Sequence, residues 1–454
     1  MGDVLAKLKD CISISGGKVR VNNGSKVREL MDGLIYEAVF NSDEGKRKGL
    51  QRLVIEIAKQ MGAVPASIQS LYEEMGKSYP GFSVPAINIR GLTYDTAKVI
   101  FKKAIEKNIG AMIFEIARSE IGYTKQRPIE YSAAVLAAAV KEGFTGPVFI
   151  QGDHFQLIRK NYLADPKPET DYVMGLIKEA IESEFYNIDL DTSTLCDLDK
   201  KDLKEEQRPN FEAAAKLATF IREIEPKGIT VSIGGEIGEI GGKNSTTEEM
   251  RAYLDGFKET MKSGKGVSKL SVQTGTSHGG VVLPDGSLAQ VKIDFDTLKK
   301  ISEAARKEYG LSGAVQHGAS TLPDNAFHKF PETTTSEVHL ATGFQNIMYD
   351  SPALPADFRD FVYKHIKENF GKEKKESQTE EQFIYSTRKK GFGLIKQKWW
   401  DLPADVKEPI MKELSDKFEL LFNELKVNGS KALVDKTVKP VVIEKDVPEN
   451  ILDK

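Results

Sequence analysis

The sequence predicts an α/β chain, a (β/α)8 barrel with additional helical segments at its N- and C-terminal ends. Three observations carry that expectation. From about residue 84, short β-branched runs alternate with longer amphipathic ones. Eight strand-like runs fall within residues 80–352, close to the ~250 residues typical of such a barrel. The runs are separated by helix-like segments, and parallel strands need crossovers of that kind. A doubly wound open sheet is the competing architecture.

Residues 1–79 read as a helical extension, with "KVRELMDGLIYEAVF" and "LQRLVIEIAKQMG" amphipathic. The strand candidates follow in order: "VPAINI" (84–89), "AMIFEIA" (111–117), "PVFIQGD" (147–153), "FYNIDLD" (185–191), "ITVSIGGEI" (229–237), "LSVQTGTS" (270–277), "GAVQHGA" (313–319) and "EVHLATG" (337–343). Between them lie helical patterns such as "TYDTAKVIFKKAIEKN" and "TEEMRAYLDGFKETMKSG", the second with Ser and Thr before its Glu pair as a cap. Residues 353–454 read as a C-terminal helical extension. In it "GKEKKESQTEE" is a solvated loop or exposed helix face and "GFGLIKQKWWDLPADVKEPIMKELSDKFELLFNELK" a helix. Trp399 and Trp400 are expected to pack rather than to bind a ligand. The tail from Val438 carries too little pattern to assign.

Composition narrows the function. Of 454 residues 40% are apolar and 29% charged, ordinary for a globular protein. No run of ~18 apolar residues suggests a spanning helix. The first twenty residues lack the apolar core of a signal peptide, and the Met-Gly start has no Ser or Thr at position six for myristoylation. A net charge of -3 gives no electrostatic case for nucleic acid or for an anionic membrane. Two distant cysteines, Cys11 and Cys196, fit a reducing compartment. The expectation is a cytoplasmic protein.

Against this background the polar strand ends stand out. "VFIQGDHFQLI" (148–158) is an apolar run ending in an acid and a histidine side by side, Asp153 and His154. Asp189 and Asp191 end the fourth strand and Glu236 the fifth; His278 follows the sixth and His317 ends the seventh. Barrel enzymes build their sites on this carboxyl edge. Each residue alone has a plainer reading: a histidine beside glycine as a loop residue, Asp189 and Asp191 as helix caps. Together, His154, His278 and His317 match the three protein ligands of a catalytic zinc site, which leaves a fourth position open. Asp153, beside a ligand, is placed to carry a proton. "SHGG" and "HGAS" offer small residues and backbone N–H groups where barrels bind substrate phosphate. "GGKNS" (241–245) fails the Walker spacing at Asn244. The residues therefore point to a metal-assisted enzyme acting on a phosphorylated small molecule.

From about Pro85 to Thr342 the ordered set "VPAINIRGL", "GDH", "IDLDTS", "GGEIGEIGG", "GTSHG" and "HGAS" resembles the class II, zinc-dependent fructose-bisphosphate and tagatose-bisphosphate aldolases. The resemblance implies zinc held by His154, His278 and His317, with Asp153 as general acid/base at the hydroxyl or aldehyde oxygen. It matches Glu236 to an acid near the metal and Asp191 to an aspartate that shares a second metal position. Gly279, Gly318 and Ser320 correspond to phosphate-binding positions, with K+ or Na+ nearby. The implied reaction is cleavage or formation of a ketose 1-phosphate or 1,6-bisphosphate, giving dihydroxyacetone phosphate and an aldehyde. Zinc on the ketone and hydroxyl oxygens would stabilise the enediolate, so no Schiff-base lysine is needed.

The sequence departs from the family in the run "HLATG": His339 stands where the family has Asn, Thr342 is kept, and Gly343 replaces an acid. His339 either contacts substrate or packs. Lys243 and Asn244 occupy the place of a proton-exchanging Glu, so that either Glu239, Glu248 or Glu249 substitutes for it or none does. Two further readings stay open: a related lyase using another hydroxy-ketone, and a non-catalytic accessory subunit of a tagatose-bisphosphate aldolase. A homodimer or homotetramer is expected, with no nucleic acid or membrane partner.

Overall fold

The computed structural model describes residues 2–238, 243–275, 283 and 293–453. The N-terminal segment, expected to be helical, also contains strands. Ile12–Ser15 (β1) and Lys18–Val21 (β2) pair antiparallel around Gly16 and Gly17. Those glycines have φ of 57° and 77°, the left-handed geometry that a two-residue hairpin turn requires and Gly-Gly supplies. A short third strand, β3 (Ala63–Pro65), follows the two expected helices, Gly24–Phe40 and Glu44–Gln60. Both helices pack on the barrel helix Pro128–Glu142.

The eight expected strands are all present: β4 (Val84–Asn88), β5 (Ile113–Ala117), β6 (Gly146–Gln156), β7 (Asn187–Asp191), β8 (Ser232–Glu236), β9 (Lys269–Val272), β10 (Ala314–Gln316) and β11 (Glu337–Leu340). Each pairs in parallel with its neighbours, and β11 pairs β4 with Glu337 opposite Val84 and Leu340 opposite Ile87. That last pairing closes the ring and excludes the open sheet. β3 lies outside the eight. It pairs with the first three residues of β6, below the point where β7 joins at Gln151. Asn187 ties this junction: its amide oxygen accepts the Ile68 N–H at 2.8 Å, and its amide nitrogen donates to Ala66 O and Ile150 O.

Such barrel interiors are usually filled by branched apolar side chains; here a layer of the interior is charged. Lys269 Nζ lies 2.9 Å from Asp189 Oδ1, 2.5 Å from Glu337 Oε1 and 2.8 Å from Gln151 Oε1. The Tyr72 hydroxyl, from outside the ring, donates to the other oxygen of Glu337. A fully buried ammonium is tolerable where carboxylates meet it and hydrogen bonds satisfy the rest.

The C-terminal run expected as one helix is three, Gly391–Leu394, Lys396–Trp400 and Ala404–Glu424. Pro403 stands before the last, and the residue preceding a proline is turned away from helical geometry. Both tryptophans pack. Trp399 meets Tyr349, Phe358 and Phe392 with ring centroids 5.0–5.2 Å apart, while Trp400 lies against Phe40 and Tyr94. The tail returns to the N-terminal hairpin, where Val447 N–H donates to Gly17 O at 2.9 Å and Glu449 accepts from Gly16 N–H at 2.8 Å. No helix among the described residues is long and apolar enough to cross a membrane.

Candidate active site at the carboxyl rim

The site is built around an irregularity in β6. Gly152 pairs opposite Ile188 and Phe155 opposite Leu190, so β6 takes three steps where β7 takes two. The extra residue is a β-bulge, a device that re-aims side chains. His154 carries its strain at φ 41°, which is uncommon outside glycine. Gly152 is required here, because a Cβ on it would stand 2.5 Å from the buried Phe155 ring. In a regular strand, side chains 153 and 154 would face opposite ways. With the bulge, Asp153 and His154 line one cavity of about 610 Å³ at the ends of the strands.

Around that cavity two of the expected ligands, His154 and His317, come together. Asp153, His154 and His317 each offer a donor atom within 4.8 Å of the others, and so do His154, Asp191 and Glu236. The His154 and His317 rings are 4.4 Å apart between centroids. His154 Nδ1 lies 3.0 Å from Asp191 Oδ2 and 3.3 Å from Glu236 Oε2. Asp191 is fixed in turn by Ser193 and by Gln156. Burial alone would raise Asp191, yet the bonds from His154, Ser193 and Gln156 hold it below the usual carboxylate range. Glu236 has burial and the nearby Asp191 against it and is pushed up to about 7. Imidazoles and carboxylates gathered this closely and this deeply suit a metal ion that takes N and O ligands. His278 and Gly279 lie outside the described residues.

The ends of the seventh and eighth barrel strands supply another wall. Gly318 has φ 69°, and Gly318, Ser320 and Thr342 all line the cavity. The glycine at 343 has a steric reason: a Cβ there would come within 2.5 Å of the Ser320 carbonyl oxygen. An acidic side chain in that place would push the Ser320 turn away. His339 faces the cavity between carboxylates, 2.6 Å from Glu337 and 3.0 Å from Glu115. Asp189, in contrast, sits in the barrel interior with Lys269. Of the substitutes for the missing Glu, Glu249 closes a capping box with Thr246 and pairs with Lys243, and Glu248 pairs with Arg251 at the surface. Neither lines the cavity, and Glu239 lies outside the described residues.

Several lining residues escaped the sequence reading. Asn88 ends the first barrel strand and Arg90 follows it, where the same carboxyl-edge rule would have selected them, while Glu115 lies within the second. Glu120 holds Arg90 at 2.7 Å. Tyr385, Ser386 and Lys389 have no such signal, because they come from the C-terminal segment. That segment is clamped where glycines leave no room for a Cβ: Phe392 seats on Gly91, and Gly393 abuts the backbone of Tyr123 and Thr124.

Fold and site together define a (β/α)8 barrel with metal-type ligands clustered on its carboxyl rim. The chain belongs to the class II fructose-bisphosphate aldolase family, which matches it over residues 74–396. Members are lyases and typically metal-dependent. The match runs beyond residue 352 and takes in Lys389. Among solved structures, a probable tagatose 6 phosphate kinase from Sinorhizobium meliloti 1021 is similar at 16% identity and TM-score 0.51, over 82% of this chain and 96% of that one. The fructose-bisphosphate aldolase of Campylobacter jejuni gives 15% identity and TM-score 0.47, over 81% and 96%. No curated protein matches the chain.

Proposed function

We propose that this chain is a zinc-dependent aldolase that cleaves and forms a ketose 1-phosphate or 1,6-bisphosphate, with dihydroxyacetone phosphate and an aldehyde as the other side of the reaction. The observation that carries the reading is the bulge in β6, which turns Asp153 and His154 into one cavity with His317. His154 and His317 would hold the ion with His278, and Asp191 and Glu236 offer a neighbouring set. When bound, the ion supplies a Lewis acid for the ketone and hydroxyl oxygens. Asp153 takes the proton from the hydroxyl at C4 as the C3–C4 bond breaks and returns it in synthesis. The Gly318–Ser320 turn presents backbone N–H groups to the C1 phosphate.

A second anionic group on the sugar is favoured by Lys389. Among the described residues, three long cationic side chains line the cavity. Arg90 is paired with Glu120 and Arg118 with Glu169. Lys389 has no carboxylate at ion-pair distance among the described residues, and its Nζ lies 5.7 Å from the Tyr123 ring centre. Burial, with Arg90 adding to it, pushes its pKa down. An anion would relieve both effects. Lys389→Met is expected to raise KM for a ketose 1,6-bisphosphate by roughly 10- to 100-fold, the worth of one charged hydrogen bond. A 1-phosphate should be affected far less. Steady-state kinetics on the two substrates checks this, and equal effects would remove the contact.

The experiment for the reaction itself is hydrogen exchange at C3 of dihydroxyacetone phosphate in D2O, followed by NMR. Exchange is expected from zinc-loaded protein, to stop with chelator and to return with metal. No exchange from loaded protein would reject dihydroxyacetone phosphate as the nucleophile.

A further inference from the structure

We propose that Glu337 and His339 act as a positioning pair that orients Asp153 for proton transfer. This rests on the catalytic reading of Asp153 above. Asp153 sits on the bulge: it stays in register with Ala117 of β5, while the ladder to β7 is interrupted there and the side chain is re-aimed. His339 Nδ1 stands 3.4 Å from Asp153 Oδ1 and 3.0 Å from Glu115 Oε2. On the other side of the ring, Nε2 stands 2.6 Å from Glu337 Oε1. Carboxylates thus stand at ion-pair distance from both ring nitrogens, and an outer carboxylate orients a histidine in other catalytic sites.

Glu337 is itself held on both oxygens. Lys269 and Gln151 meet Oε1 at 2.5 and 3.1 Å, and the Tyr72 hydroxyl donates to Oε2. Glu337 is fully buried and His339 only 5% exposed, so neither side chain has room to swing. The chain of contacts therefore runs from a rigid ion cluster in the barrel interior to the carboxylate at the cavity floor. A histidine retained only to fill space would need no such partners.

The test separates positioning from substrate contact and from metal binding. His339→Asn, His339→Gln and Glu337→Asp would be prepared zinc-loaded. Glu337→Asp keeps the charge that Lys269 needs while drawing the oxygen away from His339. Two rates are measured, sugar cleavage and C3 exchange into dihydroxyacetone phosphate. Exchange involves no aldehyde oxygen, so Asp153 has no proton to move in it. The ratio of cleavage kcat to exchange rate is expected to fall about 100-fold, with KM little changed and zinc content kept. A ratio equal to the parent's in folded variants would overturn the inference. So would KM rising with kcat preserved, which marks substrate contact, or loss of zinc, which marks a ligand. Absence of exchange in the parent would instead reject dihydroxyacetone phosphate as the nucleophile, and with it the reading on which this inference rests.

Discussion

Asp153→Ala is expected to keep the metal and lose the chemistry, with kcat for cleavage falling by about 10²- to 10⁴-fold, the usual worth of a positioned general acid/base. His154→Ala is expected to lose both. The two residues are adjacent in the chain and line the same cavity, so the contrast tests roles rather than location. His154 is set among Asp191, Glu236 and His317, the partners that a ligand needs. Asp153 faces His339 and stands 3.8 Å from His154 Nε2. Zinc content by elemental analysis, measured beside turnover, checks the pair. Asp153→Ala turning over within a few-fold of the parent would remove it as the proton carrier.

The largest effect on stability is expected from Lys269→Met. Methionine matches the length of the stem but leaves Asp189 and Glu337 buried without their cation. Breaking a buried pair in this way typically costs ~3–5 kcal/mol, enough to shift a denaturant midpoint clearly. The price falls on the carboxylates, so adding Glu337→Gln to Lys269→Met should recover part of it. Equilibrium unfolding of the single and double variants measures both numbers. A single variant as stable as the parent would mean that the carboxylates need no cation.

The eight barrel strands and the order of their polar ends were legible because period and position carry them: apolar runs separated by amphipathic ones, each site residue at a carboxyl end. The N-terminal hairpin was equally legible, since "ISISGGKVRV" is strand, Gly-Gly and strand, but helical periodicity on both sides of it dominated the reading. Asn88 and Arg90 obeyed the same edge rule as Asp153 and were passed over because their chemistry is less distinctive than that of histidine.

What the chain determined by itself is local. Alternation of runs specifies a parallel α/β barrel, and Gly-Asp-His at a strand end marks a place for chemistry. The tertiary structure decided the rest, because each remaining feature depends on groups far apart in sequence. Asp153 and His154 share a cavity only because β6 bulges against β7. Gly343 is glycine because the Ser320 carbonyl presses on it. Lys269, Glu337 and Tyr72 meet only when the ring closes. Lys389 reaches the site from a segment that local pattern assigns to an outer helix, held there by the Phe392 ring on Gly91 and by Gly393 against the backbone of Tyr123 and Thr124. Periodicity records which face of an element is buried; it carries no record of which distant side chain will stand against it.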